Sequence, residues 1–172
     1  MYRIAALTAF LVSAPMASQA AVIGPDCDTC HNTTWELTYS VVDLLENIFD
    51  FTLTATPGVG PLDYAYIDAV AIKVASSDSK YEGEQDLLSA PGGTTGWVDP
   101  VLLGTLNANA CNDGSSAGFA CTSAVGAEPN GAAAGVVNTW VIRINLINGP
   151  NVMLDENSWS VKARFTDNQG QK

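Results

Sequence analysis

The sequence predicts an all-β fold, a single antiparallel β-sandwich or jelly-roll-like domain, on three observations. Stretches of alternating apolar and polar residues recur along the chain, which is the pattern of strands with one buried face. Clusters of Gly and Pro separate these stretches and favour turns. Residues 21–172 show no convincing helical stripe, and many short strands joined by such turns are typical of sandwiches and jelly rolls.

The first strands follow from alternation in chain order. Strands are predicted at 35–41 and 49–55, and the short connection between them predicts an antiparallel pair. A turn cluster at 57–63 leads to a strand around 69–74. Apolar residues occupy both faces of this strand, which predicts a central strand covered on both sides.

The remaining elements are shorter until the end of the chain. Two apolar runs broken by Gly and Pro between 87 and 106 predict short strands near a sheet edge. Residues 107–136 are rich in Gly, Ala, Ser and Asn and predict a long surface loop. Alternation returns at 139–146 and at 159–165, with a turn at 148–151, which predicts the last two strands.

The first 20 residues have the organisation of a secretory signal peptide. Arg3 precedes an apolar run, and small residues lead to a predicted cleavage site after Ala20. The run is shorter than the roughly 20 apolar residues that span a bilayer. We therefore expect residues 21–172 to form one domain that is secreted or exposed at the cell surface.

Charge restricts the possible partners. The chain carries 18 Asp and Glu against 7 Lys and Arg, a formal net charge of -11, and loss of Arg3 with the leader makes the mature charge more negative still. Neutralising a nucleic-acid backbone needs a basic face, so nucleic acid is not expected as a partner. An acidic surface also favours solubility.

Four cysteines in an exported chain imply an oxidising compartment. Cys27 lies close to Cys30 in the sequence, and Cys111 lies close to Cys121. The two local pairings are the expected disulfides among three possible connectivities.

Residues 27–31 also spell C-x-x-C-H, the attachment pattern of c-type haem. In that alternative, Cys27 and Cys30 hold the haem and His31 is the proximal iron ligand. Met153 is then the only usual sixth ligand in residues 21–172. A redox-active pair is less well supported because no βαβ unit is predicted, and a zinc site would need a distant cysteine as fourth ligand.

Other motifs give weaker indications of chemistry. The acidic stretch at 76–86 is a candidate calcium loop, but Lys80 occupies a position where the EF-hand pattern needs Asp or Asn. Ser116 lies in a G-x-S-x-G match that has no histidine downstream. Any acidic β-sandwich could hold a glycosidase carboxylate pair, and Glu82, Glu84 and Asp86 are the candidates for one here. We therefore predict no catalytic residue and no metal site.

The four tryptophans could in principle stack on sugar rings in a carbohydrate-binding module. Three of them, Trp35, Trp140 and Trp159, occupy the apolar faces of predicted strands and are expected in the core. Trp97 follows a Gly- and Thr-rich turn and is predicted at the surface.

Several stretches together resemble exported proteins of Gram-negative bacteria that carry the PEP-CTERM sorting tag. They are the signal peptide, "CDTC" before "WELTYS", "YIDAVAIKV", "SAPGG…W", "LNANACNDGSSAGFAC", "TWVIRIN" and "SWSVKARFTDNQGQK". The resemblance implies a protein associated with exopolysaccharide and the biofilm matrix. The sequence reaches Lys172 without the Pro-Glu-Pro motif and apolar tail, so exosortase is expected as a partner only where such a tag follows.

The expected function is therefore that of a non-enzymatic cell-surface or extracellular-matrix protein with no cofactor. Exopolysaccharide or another matrix component is the expected partner. A haem-binding electron carrier and a carbohydrate-binding module are the two alternatives.

Overall fold

The structure is a computed structural model, and its described residues form two antiparallel β-sheets packed face to face, which confirms the predicted β-sandwich. It describes residues 20–23, 31–58, 64–76, 80–81, 85–107, 110–112, 118–126 and 131–167. The strands are β1 (Ala20–Ile23), β2 (Thr33–Asp43), β3 (Ile48–Pro57), β4 (Tyr66–Lys73), β5 (Asp86–Ser89), β6 (Val101–Asn107), β7 (Ala110–Asn112), β8 (Phe119–Ser123), β9 (Ala132–Ala133), β10 (Asn138–Asn145) and β11 (Ser160–Thr166). Within these ranges, short 3-10 segments span Thr94–Gly96, Gly149–Val152 and Glu156–Ser158.

The chain crosses repeatedly between the two sheets. Sheet I has the strand order β1-β2-β3-β10-β5, and sheet II has the order β11-β4-β8-β6-β7, with β9 pairing to β4. From β3 to β6 each successive strand lies in the opposite sheet, and the chain crosses again on either side of β10. Such alternation produces the jelly-roll-like arrangement that the sequence predicted.

Alternation along β2 and β3 decides which side chains fill the core. Trp35 and Leu37 point inward from β2 opposite Ala55 and Leu53 of β3, so both strands bury one face. The connection is a tight turn in which the Asp43 carboxylate accepts hydrogen bonds from the two backbone N–H groups at 45–46. The predicted antiparallel pair is confirmed.

The outer face of sheet I carries several threonines, whose side chains are β-branched and bear a hydroxyl group. Threonine suits a solvated strand face because its branched side chain packs well on the pleat and its hydroxyl stays hydrated. Across this face, cross-strand neighbours are Thr34 with Thr56, Thr38 with Thr52, and Thr54 with Thr139.

β4 is covered on both faces, as its composition predicted. Val70 and Ile72 belong to the main core between the sheets, whereas Ala71 belongs to a second apolar cluster on the outer face of sheet II. The register with β11 shifts next to Asp68, which lies at the bulge and forms a two-pronged ion pair with Arg164.

Part of the region 107–136 forms strands, which differs from the predicted surface loop. β7, β8 and β9 lie within it, and β8 is a buried strand between β4 and β6. All five residues of β8, Phe119–Ser123, are buried although only Phe119 is large. Small side chains allow the neighbouring strands and the β6–β7 hairpin to approach closely, so a composition that resembles a loop here forms the interior of a sheet.

Trp97 also differs from the prediction, because it is buried rather than exposed. Its indole N–H donates to the backbone oxygen of Pro91 at 3.0 Å, and its ring meets Trp140 edge-on at 5.5 Å. A short bridge to Ala124 holds the backbone in place. The three tryptophans predicted in the core are buried, which confirms that prediction.

Two described residues of the acidic stretch at 76–86, Tyr81 and Asp86, take part in the sandwich. Tyr81 is buried, donates its hydroxyl to the backbone oxygen of Gly118 at 2.7 Å, and bridges to Leu146. Asp86 begins β5. Glu82 and Glu84 lie outside the described residues.

Raising the pH above 10 is expected to destabilise the fold through Tyr81. Burial raises the pKa of its hydroxyl to about 12, although hydrogen bonds at the backbone of Val74 and Ala75 act in the opposite direction. The unfolded chain ionises this group near its usual pKa of about 10, so the free energy of unfolding falls between pH 10 and 12, by up to about 3 kcal/mol. Urea titrations across this range measure the slope, and Tyr81→Phe should flatten it; an equal slope in both proteins would contradict the assignment.

Candidate functional site

The histidine of the C-x-x-C-H sequence is packed among aromatic rings. Its ring centroid lies 4.4 Å from that of Tyr64 and 4.6 Å from that of Phe165, both in edge-to-face geometry. His31 is half-buried, and its backbone φ is 47°. Cys27 and Cys30 lie outside the described residues. The described part of the motif therefore extends the aromatic packing of the sandwich at the end where β4 begins.

Met153 lies at the opposite end of β4 from His31. Phe165, which contacts the His31 ring, pairs with Ile67, whereas Met153 bridges to Ala75. Eight residues of extended chain separate these two positions, which is roughly 26 Å at ~3.3 Å per residue. The fold thus does not bring His31 together with Met153, the residue that the haem alternative offers as a sixth ligand.

The second cysteine pair forms the predicted local disulfide. The Cys111–Cys121 bond has an S–S distance of 2.07 Å and a Cα–Cα distance of 5.6 Å, and it joins β7 to β8. Cys121 packs with Ala71 and Phe119 on the outer face of sheet II. The bond therefore fixes the β6–β7 hairpin against this face.

Removing this disulfide is expected to destabilise the protein by about 3 kcal/mol, because the cross-link restricts a loop of about ten residues in the unfolded chain. The double variant Cys111→Ala/Cys121→Ala tests this, and urea denaturation followed by circular dichroism measures the loss. The fold of the oxidised wild type serves as the reference. An unchanged midpoint would show that the hairpin needs no cross-link.

Two lysines and one phenylalanine form the most distinctive charged group on sheet II, which we call the lysine pair site. Lys73 and Lys162 place their Nζ atoms 5.7 and 4.2 Å from the centre of the Phe119 ring. Lys73 ends β4, and Lys162 lies on the neighbouring strand β11. The ring is buried beneath the two ammonium groups.

The buried ion pair lies on the same two strands as this site. Arg164 donates from Nε and Nη2 to the two carboxylate oxygens of Asp68 at 2.7 and 2.6 Å. The side chains are only 12% and 3% exposed. The Asp68 carboxylate neutralises the positive charge of Arg164, and the ion pair links β4 to β11.

Of the three carboxylates considered for a glycosidase pair, Asp86 lies among the described residues, whereas Glu82 and Glu84 lie outside them. Asp86 is exposed on β5, where its neighbour in register is Arg143. The pKa of Arg143 is raised, mainly by its hydrogen bonds to Asp50 and to a smaller extent by the charges of Asp50 and Asp86. Ser116 lies outside the described residues, and within the described part no cluster of three His, Cys, Asp or Glu side chains could hold a metal ion.

A cleft of about 260 Å³ lies where β1 meets the segment before β11. Its walls are the three residues at 20–22 together with Glu156, Asn157 and Trp159. Trp159 is buried and donates its indole N–H to the backbone oxygen of Leu154. The cleft places the predicted signal-peptide cleavage site beside a carboxylate.

No helix among the described residues has the length and apolar character needed to cross a bilayer. Comparison of the chain with protein-family models, with characterised proteins and with solved structures finds no match.

Sequence reasoning did not predict the lysine pair site. Lys73 and Lys162 each occupy a polar position in an alternating strand, which was visible in the sequence. Their meeting depends on the register of β4 with β11 and on the burial of Phe119 in β8. No local pattern specifies a pairing between strands so distant along the chain.

Proposed function

We propose that the protein is a non-enzymatic exported β-sandwich of the cell surface or extracellular matrix. The observation that carries the proposal is the Cys111–Cys121 disulfide. It links the β6–β7 hairpin to β8 in a sandwich that already has an extensive core. Such a bond persists in an oxidising compartment and is uncommon in the cytosol. The predicted signal peptide and the resemblance to exported PEP-CTERM proteins support the same location.

The surface chemistry agrees with a binding or structural role. The formal net charge of -11 favours a soluble, well-hydrated exterior. The aromatic side chains of Trp35, Trp140 and Phe51 are committed to the core, where they stabilise the sandwich. Among the described carboxylates, Asp50 and Asp68 form ion pairs with arginines, and Asp43 and Asp155 accept backbone hydrogen bonds in a turn and at a 3-10 segment, which are structural roles.

The test is to express the full chain with a C-terminal tag in a Gram-negative host that carries haem-maturation machinery. We expect the protein outside the cytoplasm, beginning near Ala21, with an unreduced mass lower by two hydrogens for each disulfide. Leu11→Arg places a charge in the apolar run of the leader and should retain the protein in the cytoplasm. A cytoplasmic wild-type protein with an intact leader would overturn the proposal.

The same preparation decides between the matrix protein and the haem alternative. We expect no Soret absorption and no mass added at Cys27 and Cys30. A covalent haem adduct that disappears when both cysteines are replaced would instead assign the protein to electron transfer.

A further inference from the structure

We propose that removal of the signal peptide completes a binding site for the chain's own amino terminus, in which the α-ammonium group of Ala21 pairs with the Glu156 carboxylate. The inference rests on the export proposed above, because export is what removes the leader. It assigns to the cleft between β1 and the segment before β11 a ligand of defined chemistry, a single primary ammonium group.

The cleft lies along the free edge of β1. Among the described strands, β1 pairs with β2 alone and is the first strand of sheet I. All three residues at 20–22 line the cleft, although successive side chains of a strand point to opposite faces. The cleft is therefore bounded by the backbone edge of the strand as well as by side chains, and the backbone nitrogen of Ala21 lies at its wall.

Cleavage after Ala20 creates a positive charge at this wall. Hydrolysis of the Ala20–Ala21 peptide bond consumes one water, whose hydroxyl goes to the Ala20 carbonyl carbon and whose proton goes to the Ala21 nitrogen. The resulting α-amine takes up a further proton at pH 7, because its usual pKa is about 7.7–8.0. Pairing with Leu37 and packing against the main core fix Ala21 in place, so the charge appears at a defined position.

Glu156 supplies the opposite charge from another wall of the same cleft. It is half-buried and begins a 3-10 turn, in which the Asp155 carboxylate accepts a hydrogen bond from the backbone N–H of Asn157 at 3.0 Å. Neither Lys nor Arg is among the residues that line the cleft. One carboxylate and one amide side chain are too few for calcium, which takes 6–8 oxygen ligands, but they suit the three donors of an ammonium group.

The ion pair joins the edge strands of the two sheets. The 3-10 segment Glu156–Ser158 leads through Trp159 into β11, the edge strand of sheet II, and it contacts β1, the edge strand of sheet I. In the precursor the Ala21 nitrogen is a neutral amide, so this link forms only after the leader is removed. Processing therefore makes the exported fold more stable than the same fold with its leader attached.

The test is the pKa of the Ala21 α-amine in the mature protein purified after export. Competitive acetylation with trace acetic anhydride, followed by mass spectrometry of the amino-terminal peptide, measures this pKa. On the elements that contact β1, the charged groups closest in register are Glu36, which is opposite Val22, and the neighbours Asp155 and Glu156. Negative charges favour the protonated amine, so we expect a pKa above about 8.5.

Two variants of equal charge separate the cleft from the general field of an acidic protein. Glu156→Gln should return the pKa of the α-amine to about 7.7–8.0. Glu36→Gln removes the same charge from the exposed face of β2, and because Glu36 does not line the cleft, we expect little change.

A stability cycle provides a second readout. Insertion of Gly-Ser between Ala20 and Ala21 leaves two extra residues on the mature protein and moves the amine out of the cleft. This insertion and Glu156→Gln should each lower the melting temperature at pH 7 by about 2 °C, and together by no more than either alone. Since pairing raises the pKa of the amine, the difference between wild type and Glu156→Gln should be lost as the pH rises to about 10.

Four outcomes would overturn the inference. They are an α-amine pKa of about 8 in the wild type, an equal pKa in Glu156→Gln, additive losses in the stability cycle, and a mature terminus beyond Ile23. Each of these results in an exported protein contradicts the site and leaves the proposed location standing. A cytoplasmic protein with an intact leader contradicts the location, and with it the creation of the terminus.

Discussion

Trp140→Ala is expected to lower the free energy of unfolding by about 4 kcal/mol, because it removes the largest fully buried side chain and leaves a cavity. The Trp140 ring is stacked 6.4 Å from that of Trp35 and meets Trp97 edge-on at 5.5 Å. The substitution therefore removes contacts with β2 of the same sheet and with the segment between β5 and β6. Urea denaturation followed by circular dichroism measures the change.

Two further variants separate packing from hydrogen bonding. The Trp140 indole N–H is buried and has no hydrogen-bond partner among the described residues, so Trp140→Phe should cost clearly less than the alanine variant, since it also removes an unsatisfied donor. Leu45→Ala is the matched exposed control: Leu45 is 93% exposed, and its loss should change stability by less than about 0.5 kcal/mol. Equal effects of Trp140→Ala and Leu45→Ala would contradict the position of Trp140 in the core.

Asp68→Asn is expected to cost about 3 kcal/mol or more, because it removes the negative charge that faces a buried guanidinium. Both carboxylate oxygens of Asp68 accept hydrogen bonds from Arg164. An amide keeps the shape but offers only one oxygen and no charge. Thermal and urea unfolding of the variant measure the loss.

The second ion pair of the same type provides the control for Asp68. Arg143 and Asp50 form a similar two-pronged pair, but their side chains are 35% and 20% exposed. Asp50→Asn should therefore cost less than about 1 kcal/mol. Replacing both buried partners, as in Asp68→Leu/Arg164→Met, should recover much of the loss. If the two single variants were equally destabilised, burial would not be the cause.

The sandwich could be predicted because its central strands follow simple alternation. Residues 35–41, 49–55 and 140–146 each place large apolar side chains on every second position, and those side chains form the core. The double-sided burial of β4 was also predictable from apolar residues on both faces. These features depend on local sequence alone, which is why no knowledge of the partner strand was needed.

The errors arose where tertiary contacts outweigh local composition. The composition of β8 is typical of a loop, since four of its five residues are small, yet the strand lies buried between β4 and β6. Trp97 follows Gly and Thr, which favours exposure, but a hydrogen bond to Pro91 and the ring of Trp140 hold it inside. In both cases the deciding neighbour is remote in sequence.

The candidate sites were predictable to different degrees. The Cys111–Cys121 bond was expected from spacing and is confirmed. The separation of His31 from Met153 could not be seen in the sequence, because it depends on which end of β4 each residue meets. The lysine pair site likewise depends on strand register. The intact mass and the visible spectrum of the exported protein test whether haem is attached at the C-x-x-C-H sequence.

The order in which strands join the sheets has a consequence for folding kinetics. Asp50 and Arg143 couple β3 to β10 across 93 residues of sequence, and Asp68 and Arg164 couple β4 to β11 across 96. Chains dominated by such distant pairings fold slowly, typically within milliseconds to seconds, because long loops must close before their contacts form. As the chain emerges amino end first, neither sheet can be completed until β10 and β11 are free. For the exported protein that we propose, this topology favours a chain that stays unfolded until β10 and β11 have emerged, so that the Cys111–Cys121 disulfide forms after export.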